Sequence, residues 1–364
     1  MKVVLVFFGG QSVEHDVSII TGVMTLNSID KLKYEALPVY VTKSGDWVTG
    51  KELYDLDNYK KLDNKKLSKV SVIAGENRLY EIKGKRLYKL TEVAVAINCM
   101  HGERGEDGSL AGLLSMCNIP LASPDMLSSA VAMDKAFTKI VAKALKIKVL
   151  PSVTVNSASE VNELEDLQYP LLVKPNKLGS SIGVNKADTK EELERAVEYA
   201  LRYGEAVIIE PCLEDFIEIN CAVYRKKDDE IRVSECERPI GKGKVLSFDD
   251  KYESGTRIFP ADIDKKISDK IKNITKKIYQ TLGFIGVIRI DYFVLGGKVY
   301  LNEINSVPGS LSYYLFCDTL KEFSGMLNEL IEVAESKHKK KSTEIKTYST
   351  SILSFSGGKS AKRL

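Results

Sequence analysis

Two apolar, strand-like runs meet at Gly296-Gly297 in the stretch GVIRIDYFVLGGKVYLNEINSVPGS, and Arg289, Asp291, Glu303 and Asn305 interrupt them as polar insertions. Runs this apolar belong in a sheet packed on a core, and a charge buried in such a strand needs a partner. If the loop holds an odd number of residues, so that Leu295 pairs with Val299, then Asp291 faces Glu303 and Arg289 faces Asn305 on one surface. Opposed side chains in that register have Cβ atoms ~4.5–5.5 Å apart. A two-residue loop would put the two acids on opposite faces, so a shared surface requires an odd loop or a bulge. Two carboxylates that close repel unless a cation sits between them, and an oxygen-only set of Asp, Glu and Asn suits Mg²⁺ held against phosphates. An ordinary cross-strand salt bridge between Arg289 and Glu303 is the metal-free reading of the same residues.

The rest of the chain frames this hairpin. The strand Val3 to Phe8 runs into Gly9-Gly10, and a helical pattern continues through Val17, Ile20, Val23 and Leu26. A second strand, Val93 to Asn98, ends in CMHGERGEDGSLAG before another helix. Strands alternating with helices predict a Rossmann-like parallel α/β domain over residues 1–122, with the loops after its strands forming a binding edge. Pro120 to Pro124 marks a boundary. Ser128 to Lys146 reads as one amphipathic helix, followed by strands at 169–174 and 207–210 around a helix at 191–203, an α+β unit over residues 123–213. A third unit, residues 214–335, holds strands at 218–225 and 230–237, a helix at 267–282 and the hairpin. Residues 336–364 form a basic tail, either loose or docking one more strand at 351–355. No period of about 20–50 residues recurs, which excludes repeat architectures.

A chain of 364 residues exceeds one ordinary core and implies two or three domains with clefts between them. Its 44% hydrophobic and 28% charged residues suit a soluble protein, and no apolar run approaches the ~20 residues of a membrane span. The opening MKVVLVFFGG reads as a strand rather than a leader, since no small-residue cleavage pattern follows it. Six scattered cysteines without a C-x-x-C pair suit reduced thiols in a cytoplasm. Eight Lys or Arg against the single acid Glu344 lie in the tail, so the remainder carries −4 of the net +3. That body is no nucleic-acid footprint.

Several further residues fit phosphate chemistry. Lys174 closes an apolar strand in LLVKPNKLGSSIGV, and the loop at Gly179, Ser180 and Ser181 can fold N–H groups over phosphate oxygens. No G-x-x-x-x-G-K-[ST] occurs, so an ATP site here is not a Walker type. Glu210 ends a strand where backbone groups could meet an adenine edge while Glu218 meets a ribose. Each segment alone is compatible with an ordinary turn or strand end, and Lys135 with a helix-surface cation.

From GGQSVEHDVS through HGERGEDG, MDKAFTK, VKPNKLGSSIGV and DDKYESGT to RIDYF and NEINSVPG, the order of motifs resembles the D-alanine–D-alanine ligase family of the ATP-grasp superfamily, from residue 2 to about 335. The resemblance implies an ATP-grasp fold preceded by the pre-ATP-grasp α/β domain, with ATP and two magnesium ions, or manganese, between the ATP-grasp subdomains. It implies Lys135, Lys174, Ser180, Ser181 and Lys251 at ATP, Glu210 at adenine, Glu218 at ribose, and Asp291, Glu303 and Asn305 at the metals. Arg289 would hold the oxyanion and acyl phosphate. Glu14 would bind the first amino acid's ammonium with His101 near its carboxylate, and Glu14, Ser180 and Tyr252 would form a triad closing the loop. Gly309, Tyr314 and Leu315 would line the acceptor pocket. The implied activity joins two D-alanines for peptidoglycan precursors in a cytoplasmic homodimer that contacts neither nucleic acid nor membrane.

Two positions depart from the family pattern. Nine residues past Asn305 the family usually carries a Ser for the acceptor carboxylate, with a Pro three further on, where this chain has Tyr314 and Cys317. The loop reads SFDDKY where relatives often carry an aromatic-rich YDYxxKY. Tyr252 stands where lactate-using relatives place His, which favours an amine acceptor. A related ligase with a different acceptor is the main alternative. A non-catalytic nucleotide binder would be expected to lose Arg289 or a metal ligand, and a dinucleotide oxidoreductase would need the absent G-x-G-x-x-G.

Overall fold

The structure, a computed structural model, describes residues 1–165, 168–240 and 256–351. Its first sheet is built on β1 (Lys2–Gly9), buried from its second residue onward. A strand so uniformly apolar must be covered on both faces. Val4, Val6 and Phe8 pack with Ile19, Val23 and Leu26 of α1 (His15–Ser28), while Val3, Leu5 and Phe7 meet Leu110 and Leu114 of the helix that ends this domain. Parallel pairing joins β1 to β2 (Tyr34–Val41) and to β7 (Val95–Asn98). Four strands between them in sequence, β3 (Trp47–Thr49), β4 (Ser68–Val72), β5 (Arg78–Lys83) and β6 (Arg86–Glu92), extend the far edge by antiparallel pairing, giving the order β6-β5-β4-β3-β2-β1-β7. The second helix is α2 (Ser109–Met116).

The single helix expected from Ser128 to Lys146 is two. α3 (Met126–Met133) stops at Asp134, whose extended backbone (φ −89°, ψ 106°) starts α4 (Lys135–Ala144). The Asp134 carboxylate accepts from the Phe137 N–H at 3.0 Å, a side-chain N-cap that outweighs the apolar periodicity. Beyond it β8 (Val153–Val155), β9 (Leu171–Pro175), β10 (Asn185–Ala187) and β11 (Val207–Pro211) form an antiparallel sheet in the order β10-β9-β11-β8. One face packs Leu171, Val173 and Ile209 on Leu193, Ala196 and Val197 of α5 (Lys190–Ala200).

The third sheet contains β12 (Ile217–Arg225) and β13 (Ile231–Val233). The strand expected over 230–237 ends early, and Glu237 returns only as a single bridge to Asn220. A ribbon of β14 (Arg238–Pro239) and β15 (Arg257–Ile258) follows, then α6 (Lys265–Thr281), β16 (Val287–Leu295) and β17 (Lys298–Asn305), with sheet order β13-β12-β16-β17. The last helix, α7 (Leu320–Ser342), absorbs the first residues of the expected tail. Lys339, Lys340 and Lys341 in its final turn face the negative end of the helix dipole. Ser351 is in no strand, and the remainder of the docking segment expected at 351–355 lies outside the described residues.

Of the two conditions, an odd loop or a bulge, the hairpin meets the second. Gly296 (φ 54°) and Gly297 (φ 70°) make a two-residue turn, and Leu295 pairs with Lys298. Positive φ at both positions is what such a turn demands of glycine. The register then slips: Tyr292 faces Leu301, but Asp291 faces Glu303, leaving Asn302 as the extra residue of a bulge. The bulge accomplishes what an odd loop would have done.

Candidate active site

The sheet face carrying Asp291 is the floor of a cleft. Arg289 donates to both oxygens of Asp291, from Nε at 2.8 Å and from its terminal nitrogen at 2.9 Å. Asn305 Nδ2 donates to the same carboxylate at 3.0 Å. Burial works against the Arg289 charge, but Asp291 overcomes it and holds the guanidinium well above its ordinary value. Asp291, Glu303 and Asn305 share this face in register. Among the described residues no group of three His, Cys, Asp or Glu could hold a metal. A cation here would therefore rely on two carboxylates and an amide oxygen, an all-oxygen set of the hard kind.

Above this floor β9 and α4 contribute cations. Lys174 reaches Glu210 at 2.6 Å, and Lys139 holds the other Glu210 oxygen. Burial alone would raise the Glu210 carboxyl, yet Lys174 and Lys139 together bring it below its usual value. Two ammonium groups against one carboxylate leave a local positive charge around Glu210, suited to an anionic group. Lys135 Nζ donates to the Leu178 carbonyl at 2.6 Å and lies 3.6 Å from Glu303. Lys135, Lys174, Gly179, Ser181, Glu210, Glu218 and Glu303 line one pocket, with Phe216 and Phe293 as apolar walls. The Glu210 carboxylate thus holds two lysines at this strand end.

The loop between β9 and β10 reaches down to the first domain. Ser180 donates to Glu14, and a Cβ at Gly179 would come within 3.2 Å of the same carboxylate. Ser180 (φ 55°) and Ser181 (φ 58°) are both left-handed, a strained pair fixed partly by that contact. Lys251 and Tyr252, the remaining loop expectations, lie outside the described residues. His101 is buried with Nε2 3.0 Å from the Thr21 hydroxyl and a second bond to the Val307 backbone. Burial lowers its pKa to about 4, so the ring is neutral and accepts from Thr21. Thr21 in turn accepts from the Ser310 N–H at 3.0 Å.

That last bond ties the first domain to the turn Gly309–Leu315. Ser310, Leu311 and Ser312 are all left-handed (φ 53°, 49° and 47°), and Leu311 is buried in the core of the first sheet. Leu315 is buried beside it, and the Tyr314 hydroxyl lies against the Arg289 guanidinium. Glu106 makes a parallel link, accepting from Gly102 N at 3.0 Å and from Val307 N at 2.9 Å. Burial, and then Glu14, push its pKa up to about 7.

Cations over an acidic floor, an arginine on the same sheet face and a small-residue loop closing on a buried acid can bind a polyphosphate and stabilise charge on a reacting carbonyl. Residues 3–124 match the family model described as D-ala D-ala ligase N-terminus, and residues 141–333 match D-ala D-ala ligase C-terminus. The chain belongs to the D-alanine–D-alanine ligase family. It is 37% identical to D-alanine–D-alanine ligase of Thermosipho melanesiensis, covering 97% of this chain and 99% of that one, and 38% identical to that of Thermosipho africanus, covering 95% and 96%. The solved D-alanine–D-alanine ligase from Helicobacter pylori is 30% identical, with a TM-score of 0.77 over 91% of this chain and 98% of that one. VanG D-Ala:D-Ser ligase from Enterococcus faecalis is 32% identical, with a TM-score of 0.79 over 92% and 99%. Members of this ligase family are ATP-dependent and use a divalent metal. Among the described residues no helix is long and apolar enough to cross a membrane.

Four participants escaped the sequence reading. Lys139 lies one turn from Lys135 in an amphipathic helix, Glu106 is one acid among several in its loop, and Thr21 is a helix-interior threonine. Asn302 gave a usable signal. With Gly-Gly forcing a two-residue turn, only an extra residue on one strand could bring Asp291 opposite Glu303.

Proposed function

We propose that this enzyme joins two D-alanines to D-alanyl-D-alanine, with ATP converted to ADP and phosphate, for peptidoglycan precursor synthesis. One observation carries the reading: Arg289, bound to Asp291, shares a sheet face with Glu303, which lines the cleft together with Lys135 and Lys174. A carboxylate is a poor electrophile, so the γ-phosphoryl group first passes to the first D-alanine's carboxylate oxygen. The second D-alanine's amine, having lost a proton, attacks the acyl carbon, and phosphate leaves. Glu14 binds the first ammonium, with His101 positioned behind it by Thr21. Lys135 and Lys174 neutralise phosphate oxygens, Ser181 and the loop N–H groups cover them, Glu218 meets the ribose, and Ser180 on Glu14 closes the loop and excludes water. Arg289 stabilises the tetrahedral oxyanion, an effect typically worth ~10²-fold or more per donor.

Asp291, Glu303 and Asn305 hold two magnesium ions, which supply charge neutralisation at the transferring phosphoryl group. Residues 1–122, 123–213 and 214–335 are the three working units, in a homodimer resident in the cytoplasm. Coupled phosphate release tests this against a panel of D- and L-amino acids that includes D-serine. D-alanine alone should support turnover and yield the dipeptide; if it gives neither ADP nor dipeptide while another pair does, the assignment fails.

A further inference from the structure

Arg257 on β15 carries a planar guanidinium against two aromatic rings, with the Tyr314 ring at 4.7 Å from its central carbon and the Phe259 ring at 5.4 Å. One terminal nitrogen donates to Glu237 at 3.0 Å. Asn220, opposite Asp291 in the sheet, steadies Glu237 from the other side at 3.4 Å. The other edge of the guanidinium makes no hydrogen bond among the described residues, and the side chain is 36% exposed. The two ring contacts hold the guanidinium in place while most of its donors have no acceptor among the described residues. That presentation suits a carboxylate, which arginine binds with two parallel N–H groups.

Tyr314 places this fork relative to the chemistry. Its ring lies under Arg257 while its hydroxyl lies against Arg289, so a single side chain spans both. The acceptor amine must approach the acyl carbon held at Arg289. In an α-amino acid the carboxylate follows the amine by about 3 Å, so its binding group must sit one side chain away from Arg289. Arg257 does. Glu237 is buried and takes one terminal nitrogen of Arg257 and the Asn220 amide, which leaves the remaining donors of a side chain about a third exposed unused by that pair.

We propose that Arg257 anchors the carboxylate of the acceptor amino acid, with Tyr314 and Phe259 holding its plane. This rests on the ligase reading above and names the specificity group of its second site. Where this chain has the bulky Tyr314, an arginine fork supplies the recognition that a small hydroxyl would otherwise give.

Initial-rate kinetics on the full chain test it, with acyl phosphate trapped by hydroxylamine as a reaction that needs only the first amino acid. Arg257→Gln should raise the acceptor KM about 10- to 100-fold, the loss of a charge-assisted pair, while hydroxamate still forms with an unshifted first-site KM. Arg257→Lys, which keeps charge and bulk but not the fork, should recover only part of the acceptor affinity. Wild type should prefer D-alanine to D-alaninamide as acceptor, and Arg257→Gln should lose that preference. An unchanged acceptor KM, or equal shifts at both sites, overturns the proposal. If wild type forms no hydroxamate with D-alanine, the substrate reading has failed instead, and the same comparison on the active pair still decides the anchor.

Discussion

Asp291 faces Glu303 across the β16–β17 hairpin because the register slips by one residue at Asn302. The bulge turns two successive polar side chains, Asn302 and Glu303, into the cleft, where Asn302 lies 3.5 Å from Lys174. The metal floor and the phosphate wall therefore meet at adjacent residues of one strand.

Glu303→Gln preserves that shape while removing one charge. The Mg²⁺ concentration for half-maximal rate should rise ~10-fold or more, the scale at which changes around a bound metal act. Titrating activity against Mg²⁺ checks this, and a curve superimposable on wild type would mean that Glu303 holds no metal.

Glu210 sits between Lys139 and Lys174 with little solvent access. Glu210→Gln leaves two buried ammonium groups uncompensated, and breaking a buried pair from one side costs roughly 3–5 kcal/mol. Lys139→Met leaves the Glu210–Lys174 pair intact and should cost less. Urea unfolding of the two variants gives the order, and equal stabilities would contradict it.

His101 and Glu106 make opposing contributions to stability against pH. The folded value of His101 is about 4 against 6.5 for the free group, so the unfolded chain holds more protons between those values and stability rises with pH there. Glu106 is raised to about 7 from 4.5, so the native state holds the extra proton and stability falls as pH rises across that window. Each slope approaches roughly 1.4 kcal/mol per pH unit, and where the windows overlap the two offset. Denaturant unfolding at pH 5, 5.5 and 6 should show a more negative slope than wild type for His101→Gln and a more positive one for Glu106→Gln. Identical slopes in all three proteins would refute this.

The parallel centre of the first sheet, the order of the elements and most cleft residues were legible because each motif is contiguous: a strand end, its loop and a charged residue together. What escaped depended on contacts distant in sequence. Lys139 is distinguished from an ordinary helix-surface lysine only by burial against Glu210 of β11. Glu106 becomes structural when Val307, far along the chain, comes to its carboxylate. The break at Asp134 was local and readable, since an aspartate within an apolar pattern is a strong cap; periodicity obscured it.

Helix α7 fills the first domain with residues from the far end of the chain: Phe323, Met326, Leu327, Leu330 and Ile331 share a core with Val4, Val6 and Phe8. During synthesis α1 can cover part of that face early, but the share of the core that α7 supplies waits until residue 331 has left the ribosome. The first sheet is thus completed only by α7, and a nascent chain halted before that helix carries a partly uncovered apolar surface for chaperones to hold.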